Sequence, residues 1–161
     1  MKENFNYPSK NGRTIINASR WIPNNKPKAI LQIVHGMVEY IDRYDYFANF
    51  LDQHDIVVVV HDHLGHGDSV KHESEWGYFA KENGADILVE DVESLRKLVS
   101  NDYPSTPYFI LGHSMGSFVT RNYLMKYSEK IDGAIIWATA QNPLIQLNSA
   151  KVLTHALAKI I

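Results

Sequence analysis

Two hydrophobic rhythms alternate along this chain. Ala29-Ile30-Leu31-Gln32-Ile33-Val34 and Ile56-Val57-Val58-Val59-Val60 are short, nearly unbroken apolar runs, the form of strands buried on both faces. Tyr44, Phe47, Phe50 and Leu51 recur at helical spacing, as do Ile87, Val92, Leu95, Leu98 and Val99 and the stretch from Phe118 to Tyr127. Tyr108-to-Leu111 and Gly133-to-Trp137 supply two more strands. Strand, helix, strand, helix, strand, helix, strand predicts an α/β protein: a mostly parallel sheet with helices on both faces. The chain starts differently. Asn11-Gly12, set between Phe5-to-Pro8 and Thr14-to-Trp21, predicts an antiparallel hairpin closed by a two-residue primed turn. Pro23-Asn24-Asn25-Lys26-Pro27 is a loop leading into the parallel part.

The pattern changes again after Asn142-Pro143, where Leu153, Ala156, Leu157 and Ile160 share one helical stripe and the chain ends on two isoleucines. An apolar stripe requires a cover, which further chain, a partner or a lipid surface could supply. Residues 1–143 are therefore expected to form a core, and residues 144–161 to begin a separate helical element. The strand Gly133-to-Trp137 would be left at a sheet edge, so self-association or a completing C-terminal part is also expected.

Composition narrows the field without choosing within it. At 161 residues with 45% hydrophobic positions the chain suits one domain. A net charge of −2 offers nothing to nucleic acid. The absence of cysteine removes disulfides, thiolate metal sites and a thiol nucleophile together. No apolar signal segment opens the chain and no run of about 18 uncharged apolar residues could span a bilayer, so a cytoplasmic location is the default expectation.

Candidate chemistry centres on Gly112-His113-Ser114-Met115-Gly116, a Gly-x-Ser-x-Gly that follows an apolar strand and opens a helical pattern. That context defines a nucleophile elbow, with Ser114 held in a strained backbone and the glycines admitting a sharp turn. The lysine of a phosphate-binding loop is absent after Gly116. His35-Gly36-Met37 follows another strand end, where a backbone N–H could face a developing oxyanion; Met115 would supply the second donor. His61, His63 and His66 crowd a third strand end, but two glycines and no helical spacing favour a structured loop over a metal site, so neither metal nor cofactor is expected.

Three blocks in register carry a family resemblance: His35-Gly36-Met37-Val38-Glu39 with Arg43-Tyr44, Asp62-x-x-Gly65-His66-Gly67-x-Ser69, and Gly112-His113-Ser114-Met115-Gly116. Together the sequence from about Phe5 to Ala140 resembles the monoacylglycerol lipase and lysophospholipase group of the α/β-hydrolase superfamily. The resemblance implies an α/β-hydrolase fold lacking its C-terminal strands, with residues 144–161 starting a helical cap that could touch a membrane surface. It implies Ser114 as nucleophile and Met37 and Met115 as oxyanion-hole donors. Glu39, Arg43, Asp62 and His66 would brace the surrounding loops, with His35, Gly36, Gly112 and Gly116 shaping them. Ser117 departs from the family's usual glycine, a change expected to tighten the elbow.

A serine hydroxyl needs a base and a carboxylate behind it. Asp132 and His155 satisfy the superfamily's chain order, but Asp132 stands at the start of its strand, roughly 20 Å from the carboxyl end where the site belongs. His113 is read as a packing residue beneath the loop. The resemblance places the acid and the histidine in later strands and loops. The expected function is hydrolysis of small lipid or other carboxylic esters, weak or absent in this 161-residue form. The alternatives left open are a non-catalytic interaction fragment and a thioesterase or carbon–carbon hydrolase on the same fold.

Overall fold

The computed structural model of the chain describes residues 1–140; the expected helix at 144–161 and His155 lie outside them. Strands β1 (Lys2–Pro8) and β2 (Ile15–Trp21) form the antiparallel hairpin. The parallel part comprises β3 (Ala29–Val34), α1 (Asp45–Asp52), β4 (Ile56–His61), α2 (Gly84–Asp102), β5 (Tyr108–His113), α3 (Met115–Tyr127) and β6 (Gly133–Trp137). One six-stranded sheet results, in the order β1-β2-β4-β3-β5-β6. Only the β1–β2 and β2–β4 pairings are antiparallel.

The hairpin differs from expectation at its tip. Six residues, Ser9 to Thr14, join the strands rather than two. Asn11 Oδ1 accepts hydrogen bonds from the Arg13 and Thr14 amides at 3.0 and 2.9 Å, and Gly12 takes a φ of +75°. The length has a cause across the molecule. Buried Asp91 of α2 accepts hydrogen bonds from Ser9 Oγ and from the Lys10 amide, both at 2.7 Å, and a two-residue turn would not reach it.

Helices cover both faces. Beneath α1, Trp21, Leu31, Ile33, Tyr44, Ala48, Val58 and Val60 form one core. The stripe facing inward is Tyr44, Ala48 and Leu51, while Phe47 and Phe50 remain 38% and 51% exposed, so the apolar period marked the helix but only part of its buried face. Against the other face, Leu88, Val92, Leu95 and Val99 of α2 pack with Ile30, Val57, Val59, Ile110, Val119 and Tyr123. Leu98 of the predicted stripe is exposed instead.

Among the core contacts of α2 is a buried charge. Glu93 accepts two hydrogen bonds from Arg96, at 2.7 and 2.8 Å, and one from the Tyr123 hydroxyl at 2.7 Å, tying α2 to α3. Burial disfavours the carboxylate, but these partners outweigh it and hold the Glu93 pKa below its ordinary value. Removing the guanidinium would leave that charge short of a partner. Arg96→Met is expected to cost about 3 kcal/mol, read as a lower urea midpoint at unchanged slope.

Candidate active site

The parallel register sets where the loops meet. Val34 pairs with Gly112 and Ile33 with Val60, so β3, β4 and β5 end together and release the 35–40 loop, the 62–69 loop and Ser114 at one edge. This is the carboxyl edge, where open α/β sheets gather their sites.

Ser114 joins β5 to α3 with φ 51° and ψ −117°, a conformation that costs a non-glycine residue about 1–3 kcal/mol. Packing enforces it. A Cβ on Gly116 would collide with the Val34 carbonyl oxygen and one on Gly112 would lie 2.6 Å from the Gly116 carbonyl, so α3 starts in backbone contact with β3 and β5. The Ser114 amide donates to the Trp137 carbonyl at 3.0 Å, anchoring the turn to the end of β6. Buried Ser117 donates its hydroxyl to the Ser114 carbonyl at 2.5 Å. The Ser114 hydroxyl makes no cap for α3 and has no hydrogen-bond partner among the described residues.

Against this turn lies the Gly36 bend. A Cβ on Gly36 would stand 3.0 Å from the Ser114 Cβ and 2.9 Å from Glu39 Oε2, so only glycine lets the bend approach so closely. Glu39 gathers the neighbourhood: Oε2 accepts hydrogen bonds from the Gly36 amide at 2.6 Å, the Tyr44 hydroxyl at 2.8 Å and His113 Nδ1 at 2.9 Å. Arg43, largely exposed, stands 3.6 Å from its other oxygen. Burial pushes the Glu39 carboxyl up, yet its hydrogen bonds from His113, Gly36 and Tyr44 prevail and hold it below its ordinary value. His113 is thus a hydrogen-bond partner of Glu39 as well as a residue packed on Trp137, which its position next to Ser114 did not disclose.

Asp62 is a second anchor. Its carboxylate accepts from the Ile41 amide at 2.9 Å, the Asp68 amide at 2.9 Å and Asn17 Nδ2 at 3.0 Å, stitching the 35–40 loop, the 62–69 loop and β2 together. Its pKa is raised because burial exceeds what those bonds return. Asn17 gave no signal in the sequence; it faces Asp62 only because β2 lies beside β4.

Four histidines stand behind the bend, three of them bonded in series. His61 Nε2 lies 3.0 Å from His63 Nδ1, His63 Nε2 lies 3.2 Å from the His35 carbonyl, and the His63 amide donates to His35 Nε2 at 3.0 Å. His35 Nδ1 in turn meets the Gly36 carbonyl at 2.8 Å. His66 bonds the Leu64 carbonyl at 2.9 Å and stacks on Phe79. Among the described residues no three His, Asp or Glu side chains are grouped to hold a metal ion. Burial drives the His35 pKa down to about 4 and that of His61 to about 3, and carries His63 well below its ordinary value.

Asp132 lies elsewhere. Its carboxylate accepts from the Tyr108 amide at 2.7 Å and its own amide donates to the Tyr108 carbonyl, fixing it at the starting edge of β5. The strand between Tyr108 and His113 separates it from Ser114 by roughly 17 Å. Beside the Met37 bend, an apolar cleft of about 510 Å³ is lined by Met37, Val38, Tyr40, His66 and Trp76, with Met37 and Val38 largely exposed.

Two outcomes follow from these contacts. Gly116→Ala is expected to cost at least about 3 kcal/mol in denaturant unfolding, because the added methyl meets backbone that cannot yield. The three buried histidines stay neutral when folded and titrate near 6.5 when unfolded, so the unfolded chain binds more protons below that pH. Stability should therefore fall as pH drops from 6.5 toward 5, by up to about 1.4 kcal/mol per pH unit for each histidine. His61→Gln cannot titrate yet keeps a donor toward His63; urea titrations between pH 7 and 5 should show about one third of that slope removed.

Residues 25–161 match the family described as serine aminopeptidase, S33. Monoglyceride lipase of Rattus norvegicus is 34% identical over 143 residues, which span 88% of this chain and 44% of the lipase. Monoacylglycerol lipase of Mycolicibacterium smegmatis is 29% identical over 122 residues, 76% of this chain and 41% of that protein. Among solved structures, a thermostable carboxyl esterase from Bacillus coagulans in complex with glycerol superposes with a TM-score of 0.87 at 30% identity, covering 98% of this chain and 51% of the esterase. The chain thus spans about half the length of the proteins it matches. Its matched family, the sheet order and the elbow at Ser114 agree: this chain belongs to the serine aminopeptidase S33 family of α/β-hydrolases.

Proposed function

We propose that Ser114 is the nucleophile of a carboxylic ester hydrolase acting on monoacylglycerol-like or lysophospholipid-like lipids. One observation carries the reading: a serine with φ 51° at a strand-to-helix turn, its hydroxyl uncommitted, lies against a glycine bend whose next amide is Met37's. A base takes the Ser114 hydroxyl proton as Oγ bonds to the ester carbonyl carbon, the carbonyl oxygen takes the negative charge, and its collapse breaks the ester C–O bond, the base returning the proton to the departing alcohol and leaving an acyl-enzyme for water to hydrolyse. The amides of Met37 and Met115 are the donors for that oxygen. Met115 is the first residue of α3, where a helix has amides without internal partners.

Lipid substrates are favoured by the apolar cleft beside Met37 and by what the lipase and esterase relatives are named for. Glu39, Arg43, Asp62 and His66 act as supports for the two loops rather than as reacting groups. The base that must take the serine proton is not within hydrogen-bond reach among the described residues, and Asp132 is committed to the far edge. We infer that a histidine and its carboxylate come from outside residues 1–140.

An alkyl fluorophosphonate probe with peptide mapping by mass spectrometry tests the nucleophile. In a protein that also carries the inferred histidine and carboxylate, labelling is expected at Ser114, lost in Ser114→Ala and retained in Asp132→Asn. Labelling that persists in Ser114→Ala, or that disappears in Asp132→Asn, would overturn the assignment.

A further inference from the structure

We propose that His35, locked in one tautomer by His63, is the positioning residue that aims the Met37 amide at the oxyanion; this rests on reading Ser114 as the nucleophile. The partners themselves dictate the proton positions. A carbonyl oxygen only accepts, so His35 Nδ1, 2.8 Å from the Gly36 carbonyl, carries a proton. A backbone amide only donates, so His35 Nε2, 3.0 Å from the His63 nitrogen, carries a lone pair. One ring thus has a donor on one side and an acceptor on the other, which is neutral imidazole in the Nδ1–H form.

The same reasoning runs outward through the fold. His63 Nε2 faces the His35 carbonyl at 3.2 Å and is the protonated nitrogen, leaving His63 Nδ1 to accept. His61 Nε2, 3.0 Å from it, must then donate. His61 Nδ1 is left as a buried lone pair without a partner among the described residues, so nothing there pulls the proton to the other nitrogen. The series ends on a peptide, not on a side chain.

That peptide is the one joining Gly36 to Met37. It is trans, so its C=O and N–H point in opposite directions, and fixing the Gly36 oxygen fixes the Met37 hydrogen. On the other side of Gly36, Glu39 Oε2 holds the Gly36 amide at 2.6 Å. The bend is therefore clamped on consecutive peptides, one by a carboxylate and one by an imidazole. Among the described residues no acceptor takes the Met37 amide, and Gly36 lies against Ser114. A donor held still before charge appears stabilises that charge without reorganising. Burial, which keeps His35 neutral down to about pH 4, preserves the lone pair that the His63 amide needs.

Two isosteres separate positioning from folding. His35→Asn keeps an N–H near the place of Nδ1, whereas His35→Gln keeps a polar group near Nε2 and gives up the donor to the Gly36 carbonyl. Each variant is made in a protein that also carries the inferred histidine and carboxylate, and is measured against an alkyl trifluoromethyl ketone, which forms a tetrahedral oxyanion adduct on a serine, and against the methyl ketone of equal chain length, which binds without that charge. His35→Gln is expected to weaken the trifluoromethyl ketone about 10- to 100-fold while shifting the methyl ketone less than about 2-fold; a lost oxyanion donor costs about 100- to 1000-fold in rate. His35→Asn should stay within about 5-fold of wild type on both. Nitrogen-15 spectra of the wild type should show His35 pyrrole-like at Nδ1 and pyridine-like at Nε2.

Equal weakening of both ketones by His35→Gln, no weakening of either, or a ring protonated at Nε2 would overturn the positioning role while leaving the nucleophile intact. Absence of any Ser114 adduct in the wild type, with the His35 tautomer as stated, would instead overturn the nucleophile reading on which the role rests.

Discussion

The start of α3 touches the ends of β3 and β5 with no side chain between them. Gly116 meets the Val34 and His35 carbonyls and Gly112 meets the backbone at Gly116, so the helix is pressed against the sheet at the place where the chain must turn. A turn that tight cannot be made in an ordinary conformation, and Ser114 absorbs the cost with a positive φ. What the strain produces is a hydroxyl that neither caps the helix nor enters the core. The glycine bend after β3 is brought alongside by the same contact. The close approach at this turn follows from the absence of two Cβ atoms.

Around that contact, desolvation and hydrogen bonding compete with opposite outcomes at neighbouring carboxylates. Glu39 and Asp62 each accept three hydrogen bonds, but at Glu39 those from His113, Gly36 and Tyr44 outweigh burial and its pKa falls, while at Asp62 burial prevails and its pKa rises. His35, His61 and His63 lose outright to burial and stay neutral. Neutrality makes them directional, since a neutral imidazole has one donor and one acceptor and each must find its complement. The loops at the sheet edge are thus held by groups whose protonation is determined by their surroundings.

Relatives named as lipases and esterases share the half of their length that this chain covers, and that half contains the sheet order, the elbow and the bend. Among residues 1–140 no side chain hydrogen-bonds the Ser114 hydroxyl. Among the described residues no helix is long and apolar enough to cross a membrane, and the apolar cleft beside Met37 is lined by Val38, Tyr40, His66 and Trp76 as well.

The strands at Ala29–Val34, Ile56–His61, Tyr108–His113 and Gly133–Trp137 and the helices between them were legible because apolar periodicity is a local property that the sheet then uses directly. Ser114 was legible for the same reason: a strand, two glycines and a helix are consecutive. The six-residue hairpin loop was not, because its length answers to Asp91 in a helix some eighty positions away. Nor was the inward face of α1, where Phe47 and Phe50 stay exposed although their spacing fits. The pairing of His113 with Glu39, of Asn17 with Asp62 and of His35 with His63 joins segments 74, 45 and 28 residues apart. Sequence by itself determined which elements form and which serine stands at the strand-to-helix turn. Only the tertiary structure decided which polar groups are buried together, because desolvation and hydrogen-bond direction depend on what lies across the sheet edge rather than along the chain.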